Sequence, residues 1–558
     1  MPGYGAMMSA GVGGGPGDGH LLSRAASMSR VVSSRVVSPL WPVEVSGGGG
    51  RTLTGVNVGP GTVAAQIGPP PAGTADPPLM LSYNSQNPVA GAFGTGWFGT
   101  YQRKVTTVGA SEADIQTGTG AVYKYMLSGG VWTAPSGARN DLSGSGPWVE
   151  TQPNKLAYNY DSSGNLQSIQ NPSGGRWTLT RSGSQVTRVT TPAGRRLTMA
   201  YDGSGNIRRV QDAGGRITTY TINASSDLKR VVHPDLSITS FAYDGGHRMT
   251  SWTDPSGNRT SFAYDATSHN CTRVLGPKGD RTSFSYATDP ITDNLFTVVT
   301  DPRGKRTTYS YASTTGRLIS VVDPVSRQTN YTWNADRLGS FQDALGQNTG
   351  FSYTTLGNST RLPLSVNQPL GGRFTYLLDS HNRVNRLIDG LGNRTTLVWD
   401  ANNNRIAVIN PLGQRTSYVY NSQGQTTSVR NGQGQVRTII YDGNGQQVAD
   451  VNPLGQRTSY AYTSSGQQRR MQNALGFITT YLWDSMNRPL AQINPLGRRT
   501  SYAYDKAGRR TAVKDALGQT TTSVYDSEGH LSAQIDPLGN RTSYAYDTAG
   551  IVPGPGDH

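Results

Sequence analysis

Arginine and tyrosine interleave at fixed spacing in this chain: Arg499 to Asp505 reads RTSYAYD, and Arg541 to Asp547 repeats it. Guanidinium groups alternating with aromatic rings suit an anionic polymer, the rings stacking on bases or sugars while the cations track its charges. Other chemistry is sparsely supplied. The seven histidines (His20, His233, His247, His269, His381, His530, His558) fall at no metal-ligand spacing. Cys271 stands alone, which excludes an internal disulfide or a cysteine-based metal site. Only four glutamates occur (Glu44, Glu112, Glu150, Glu528), and no nucleophile elbow, phosphate-binding loop or paired-acid constellation is present. The sequence therefore assigns no catalytic, cofactor-binding or metal-binding residue and reads as a non-enzyme. Sequons at Asn258, Asn393 and Asn540 matter only in a glycosylating host.

The Arg-Tyr stretch belongs to a longer unit that organises the chain. Asp536 to Asp547 reads DPLGNRTSYAYD, Asn494 to Asp505 NPLGRRTSYAYD, Asn410 to Asn421 NPLGQRTSYVYN and Asp254 to Asp265 DPSGNRTSFAYD. Self-similarity at such a period fixes the architecture before single residues are read. The slot of the last aromatic runs from Tyr160 through Arg181, Tyr201 and Ile222 to Tyr546, giving nineteen units, with a spacing of 21 residues from Leu378 onward and 20 to 25 before it. Each unit predicts two turns and two strands. In Asp-Pro-Leu-Gly the Asp accepts local amides, Pro presets φ and Gly539 or Gly497 tolerates a left-handed exit. The strand from Arg541 then alternates, with Thr542, Tyr544 and Tyr546 on one face and Arg541, Ser543 and Ala545 on the other. A second turn, Asp-x-x-Gly as at Asp505, leads into a returning strand such as Leu531 to Ile535.

The fold expected is all-β: one antiparallel meander of about 38 strands, near 180 Å long if flat at roughly 4.8 Å per strand. Sheets of that size curl, so the ribbon is expected to wind into a spiral, barrel-like or hollow shell whose successive turns pair to protect the edges. Composition agrees. Hydrophobic residues make up 34%, charged residues 15%, and Gly is 70 of 558, which leaves few side chains to fill a solid interior. Almost no helix is expected. The wall residues Gly497, Arg499, Tyr502, Tyr504, Asp505, Gly539, Arg541, Tyr544, Tyr546 and Asp547 are read first as construction, because every unit demands them. The recurring aromatic pairs Tyr502/Tyr504 and Tyr544/Tyr546 form a packing ladder, with a stacking platform for sugars or bases as the sharper reading. The net charge of +15 is mostly arginine, spread along the repeat at Arg259, Arg281, Arg306, Arg394, Arg415, Arg457, Arg499 and Arg541. Equivalent arginines lie two strands apart, about 9.6 Å, and are expected to be solvated and paired with turn aspartates. Nucleic acid is not the partner expected.

Along the chain, residues 1–77 are rich in Gly, Pro, Ser and Ala and are expected to be mostly disordered, with isolated strands within Arg35 to Val45 and Thr52 to Val58. Residues 78–150 read as a β-rich capping module, 151–550 as the array and 551–558 as a tail. No apolar run of transmembrane length and no secretory signal are present.

The units Tyr504-Asp505-Lys506-Ala507-Gly508-Arg509 at a 21-residue period, with Leu81-Ser-Tyr-Asn-Ser-Gln and Phe93-Gly-Thr-Gly-Trp97 ahead of them, resemble the YD repeats of the Rhs family. The resemblance covers about 78–550. It implies a spiralling β-shell, often hollow, that in bacterial polymorphic toxins and insecticidal toxin complexes encloses a toxic polypeptide and in related animal cell-surface proteins serves adhesion. It implies an exported or cell-surface location. The family's C-terminal core segment and toxin domain do not follow Tyr546, where the sequence closes on IVPGPGDH. The expectation is a structural shell or scaffold that encloses or displays a polypeptide cargo or partner protein. The alternative is a cell-surface module recognising acidic glycans or a partner protein.

Overall fold

The computed structural model describes residues 40–43, 53–57, 62–67, 77–135, 140–152, 155–172, 174–334, 337–353, 363–369, 371–381 and 383–546, and none of them is helical. They form three antiparallel sheets in which every strand pairs only with its neighbours in the chain. Leu40–Val43, Leu53–Asn57, Thr62–Ile67, Leu81–Asn84 and Trp97–Gly99 make a five-stranded sheet, so the strands expected to be isolated within 1–77 are paired. Lys104–Thr107 to Val131–Thr133 make a four-stranded sheet. The remaining 39 strands, from Asp141–Gly144 to Arg541–Ser543, form one meander, which begins ten residues before the expected start of the array at 151.

Turn chemistry sets the meander. At the Pro-bearing turn, Asp254 Oδ1 accepts the amides of Ser256 and Asn258 at 2.8 and 2.9 Å, the Gly257 amide donates to the Asp254 carbonyl at 3.0 Å, and Gly257 sits at φ 88°. The side chain thus replaces water at donors the tight turn would strand. At the second turn Asp505 Oδ1 accepts the Arg509 amide at 2.9 Å. In nearly every hairpin closed by this second turn, the strand register shifts just before the last aromatic, as between Ala503 and Tyr504. Such a bulge adds right-handed twist at a fixed place in the unit, which is how a long ribbon keeps curling.

Contacts between residues about 250 apart show how far the ribbon curls. Asn171 Nδ2 donates to the Gln423 carbonyl at 3.5 Å, Arg195 Nη2 to the Ser464 carbonyl at 2.8 Å, and Arg488 lies 3.6 Å from Asp235. Lys278 Nζ pairs with Asp526 at 2.6 Å. Divided by a 21-residue unit, that separation is about twelve units per spiral turn. In every case a Pro-type turn of the first spiral turn meets a turn of the other type in the second: Asn421–Gly424, Thr463–Gly466, Asp484–Asn487 or Asp526–Gly529. Successive turns therefore meet through hairpin tips, not by the strand-edge pairing expected, because the strands run across the ribbon and its long margins are rows of turns. The strand edges lie only at its ends, 141–144 and 541–543, which do not pair with each other, so the barrel is not closed.

The core is lopsided. One cluster runs from Val56 through Trp97 to Leu318, with Trp97, Tyr83 and Trp252 fully buried; a small second one holds Leu338, Phe351 and Val366. Segment 83–105 lies against the Thr/aromatic face around Tyr220, Phe241 and Tyr243, the inner face of the ribbon, and against the hairpin turns beside it. Phe93 meets Tyr220 edge-on, Trp97 meets Phe241 at 5.2 Å and donates Nε1–H to Tyr243 Oη at 2.8 Å, and Tyr83 Oη accepts the Met249 amide at 2.7 Å. At Gly94 any Cβ would stand 2.8 Å from the Leu228 amide nitrogen, so this approach requires glycine. A buried Arg103–Glu150 pair, with Tyr160 Oη donating to Glu150 at 2.6 Å, ties the segment to the first unit.

Candidate functional site

The last aromatic of each unit has a specific job. Its ring donor reaches the backbone carbonyl fifteen residues upstream: Tyr264 to Met249 at 2.7 Å, Tyr462 to Gln447 at 2.6 Å, Trp399 to Val384 at 2.8 Å and Tyr504 to Pro489 at 2.8 Å. That carbonyl opens the returning strand of the preceding hairpin, where the bulge interrupts the ladder and leaves an acceptor to be satisfied. Arg181, in the same slot, donates Nε and Nη2 to the Leu166 carbonyl at 3.2 and 3.0 Å. The slot thus favours a long side chain with a donor; phenylalanine never fills it, and Ile222 and Leu378 occupy it without a donor.

Two residues earlier on the same face, the first and second spiral turns differ. In the first turn this position holds Leu179, Met199, Tyr220, Phe241, Phe262 and Phe284, all buried in the core with segment 83–105. Beyond the covered part it holds Tyr376, Tyr418, Tyr460, Tyr481, Tyr502 and Tyr544, all half-buried, among Leu397, Ile439 and Ser523. The inner wall is hydrocarbon where the chain covers it and phenolic where it lies open. Within the open part, Tyr481, Trp483, Tyr502 and Tyr504 line a groove of about 490 Å³ with Gln468, Gln492 and Arg510. Arg510 lies 5.7 Å from the Tyr502 ring centre and Arg488 4.9 Å from that of Tyr504, within cation–π range.

Of the expected wall residues, the groove gathers Tyr502 and Tyr504. Gly497 and Gly539 sit at φ 73° and 87° in the exposed turns. Asp505 Oδ2 accepts Arg509 Nε at 2.6 Å. Tyr544 is half-buried, and Tyr546 donates to the Leu531 carbonyl at 2.9 Å while stacking on His530. Asp547 lies outside the described residues. The arginine two residues after the repeat Gly is not paired with turn aspartates as expected: Arg499 and Arg541 bond Ser501 and Ser543 through Nε at 3.0 and 3.3 Å. Strand alternation aims this arginine outward along its own face. The aspartate partner is instead the arginine just after the second turn, as in Arg248–Asp244 and Arg488–Asp484.

Sequence reasoning missed the seam between spiral turns. There Lys278 bridges Asp526 and, at 3.6 Å, Glu528. Burial, then the adjacent Asp280, pushes the Glu528 carboxyl up to about 7. Burial opposes ionisation of Asp526 too, but the bond and charge of Lys278 and the His530 amide together outweigh it and hold that carboxyl below its ordinary range. Cys271 is fully buried, and burial pushes its thiol up to about 12.

The Teneurin YD-shell family profile matches residues 148–238 and 396–552, and the RHS Repeat profile matches 243–281, together about half of the chain. No curated protein matches. Among solved structures, a TcdB2-TccC3-Cdc42 crystal structure is similar at 12% identity and TM-score 0.41, over 88% of this chain and 29% of that one. A TcdB2-TccC3 crystal structure is similar at 12% and 0.40, over 88% and 30%. A Photorhabdus luminescens Tc holotoxin pore carrying a TccC3 mutation is similar at 11% and 0.29, over 87% and 27%. The chain spans under a third of the length of these structures. With its 21-residue unit, its 39-stranded meander and its matches to both repeat profiles, the chain belongs to the YD-repeat (RHS-repeat) family.

Proposed function

We propose that this chain is the wall of a shell that holds polypeptide against its inner face, a structural role without catalysis, in a toxin-related or cell-surface setting. One observation carries the reading: the chain already does this to itself. Segment 83–105 lies along the inner face of the first spiral turn, and the equivalent face of the second turn is open and lined by tyrosine and tryptophan. Amphipathic rings accept varied apolar and polar neighbours, as an enclosed chain of no fixed fold requires. The experiment fuses an unstructured reporter downstream of residue 546 and digests it with protease. Protection lost when mild denaturant opens the spiral supports enclosure; cleavage as fast as that of the free reporter refutes it.

The groove supports a second reading. Four aromatic rings with two amides and a guanidinium suit an acidic sugar. Salt-sensitive retention on a heparin column, abolished by Trp483→Ala with Tyr502→Ala, supports it; flow-through at low salt removes it.

A further inference from the structure

The third residue of the Pro-type turn changes character along the ribbon. Over the covered arc of the first spiral turn it is small or polar, at Ala193, Gly214, Asp235, Ser256 and Lys278, and past that arc the same turn carries the exposed Val325, Leu345 and Leu391. In the second, uncovered turn it is leucine at Leu412, Leu454, Leu475, Leu496, Leu517 and Leu538, each 75 to 87% exposed. A soluble protein scatters exposed leucines singly; a row along one margin marks an interaction surface.

The covered margin shows what that surface does not receive. Hairpin tips there approach so closely that a Cβ on Gly214 would stand 2.3 Å from Ser465 Oγ, and one on Gly445 would stand 3.3 Å from Ala193 Cβ. A leucine at these positions has no room. The leucine margin is therefore not shaped for another ribbon turn docked in the same way.

Its charge indicates what does fit. Behind the leucines stand Arg415, Arg457, Arg499 and Arg541, all exposed and each bonded through Nε to a serine hydroxyl, not to a carboxylate. Arg498 and Lys514 add to them, and Phe477, 53% exposed, adds a ring beside Leu475. The turn acids face inward: Asp536 Oδ1 accepts the amides of Leu538 and Asn540 at 2.9 and 2.8 Å. Apolar tips ahead of a row of cations match an anionic bilayer interface, with acyl chains receiving the leucines and phosphates the guanidinium groups. The margin climbs by one ribbon width per spiral turn, so a plane meets an arc of it. The arc from Leu454 to Leu538, four intervals of about 10 Å each, spans roughly 40 Å.

We propose that this leucine-tipped margin is a lip that docks on anionic lipid membranes without crossing them. The test floats the full chain with vesicles of phosphatidylcholine alone or mixed equally with phosphatidylglycerol. The expected result is salt-sensitive binding to the mixed vesicles, weakened at least tenfold by Leu475→Ser, Leu496→Ser and Leu517→Ser together and unchanged by Ile291→Ser, an equally exposed site on the opposite margin. These side chains touch solvent, so circular dichroism of the triple variant should match the parent. Absence of binding to mixed vesicles overturns the proposal. So does binding that survives the triple change, or light scattering that shows a dimer which that change dissociates, since a second copy would then own the lip.

Discussion

Replacing Tyr264 by Phe isolates the bond from the last aromatic of a unit to the preceding hairpin. The phenol donates to the Met249 carbonyl at 2.7 Å, Met249 is fully buried, and burial drives the Tyr264 hydroxyl far above its ordinary pKa. Phenylalanine keeps the ring and strands a carbonyl that water cannot reach, a change that costs about 1–3 kcal/mol. The same change at Tyr504 removes a bond of 2.8 Å to the Pro489 carbonyl in an exposed setting, where water substitutes and the cost is about 0.5 kcal/mol. Contacts in a repeat array are local, so a global melt dilutes the effect. Native-state hydrogen exchange of strands 249–253 and 259–264 reads it directly: about ten- to a hundredfold faster exchange in Tyr264→Phe, and a few-fold at most around Tyr504→Phe. Tyr504→Trp, which keeps a donor as Trp483 does, should be neutral. Equal effects of the two Phe variants, or none at Tyr264, would refute the role given to the slot.

Three further outcomes follow from the seam and the core. Gly214→Leu places a side chain where Ser465 already stands, so the spiral should open at that point, seen as a larger maximum dimension in small-angle X-ray scattering with strand content unchanged. Glu528 has its folded pKa raised from an ordinary 4.5 to about 7, so its contribution to the seam is complete below pH 4.5 and is lost as pH rises through 7. Exchange at the 276–279 and 526–529 turns should be slower at pH 5 than at pH 8, after correction for intrinsic rates, and Glu528→Gln should abolish that difference among Lys278, Asp280, Asp526 and His530. Cys271 should resist alkylation at pH 8 in the folded chain and react at once in denaturant, because its thiolate is both scarce and enclosed.

Much of the site's construction was legible. The donor preference of the last-aromatic slot is written in its occupants, mostly tyrosine and tryptophan with Arg181, never phenylalanine and broken only at Ile222 and Leu378, and it emerges once the slots are aligned and hydrogen-bonding capacity is compared in place of hydrophobicity. The switch from Phe262 and Phe284 to Tyr460 and Tyr502 on the inner wall, and from Gly214 to Leu496 on the margin, stands in the same alignment. Its meaning does not, because the sequence does not say which turns are covered. The pairing of Arg499 is not legible in the sequence: the turn before it opens on Asn494, not an aspartate, and strand alternation aims the guanidinium away from the turn toward Ser501.

By itself the sequence determined the unit: where the chain turns, which residues share a face, and that the result is an antiparallel meander. Those features are local, set by turn chemistry and a period of two, and repetition states them many times over. Only the tertiary structure decided that about twelve units complete a turn, that hairpin tips form the seam, and that segment 83–105 covers the inner face of the first turn. Each rests on a small angle per strand summed over some two dozen strands, and on single contacts between residues about 250 apart that leave no periodic trace.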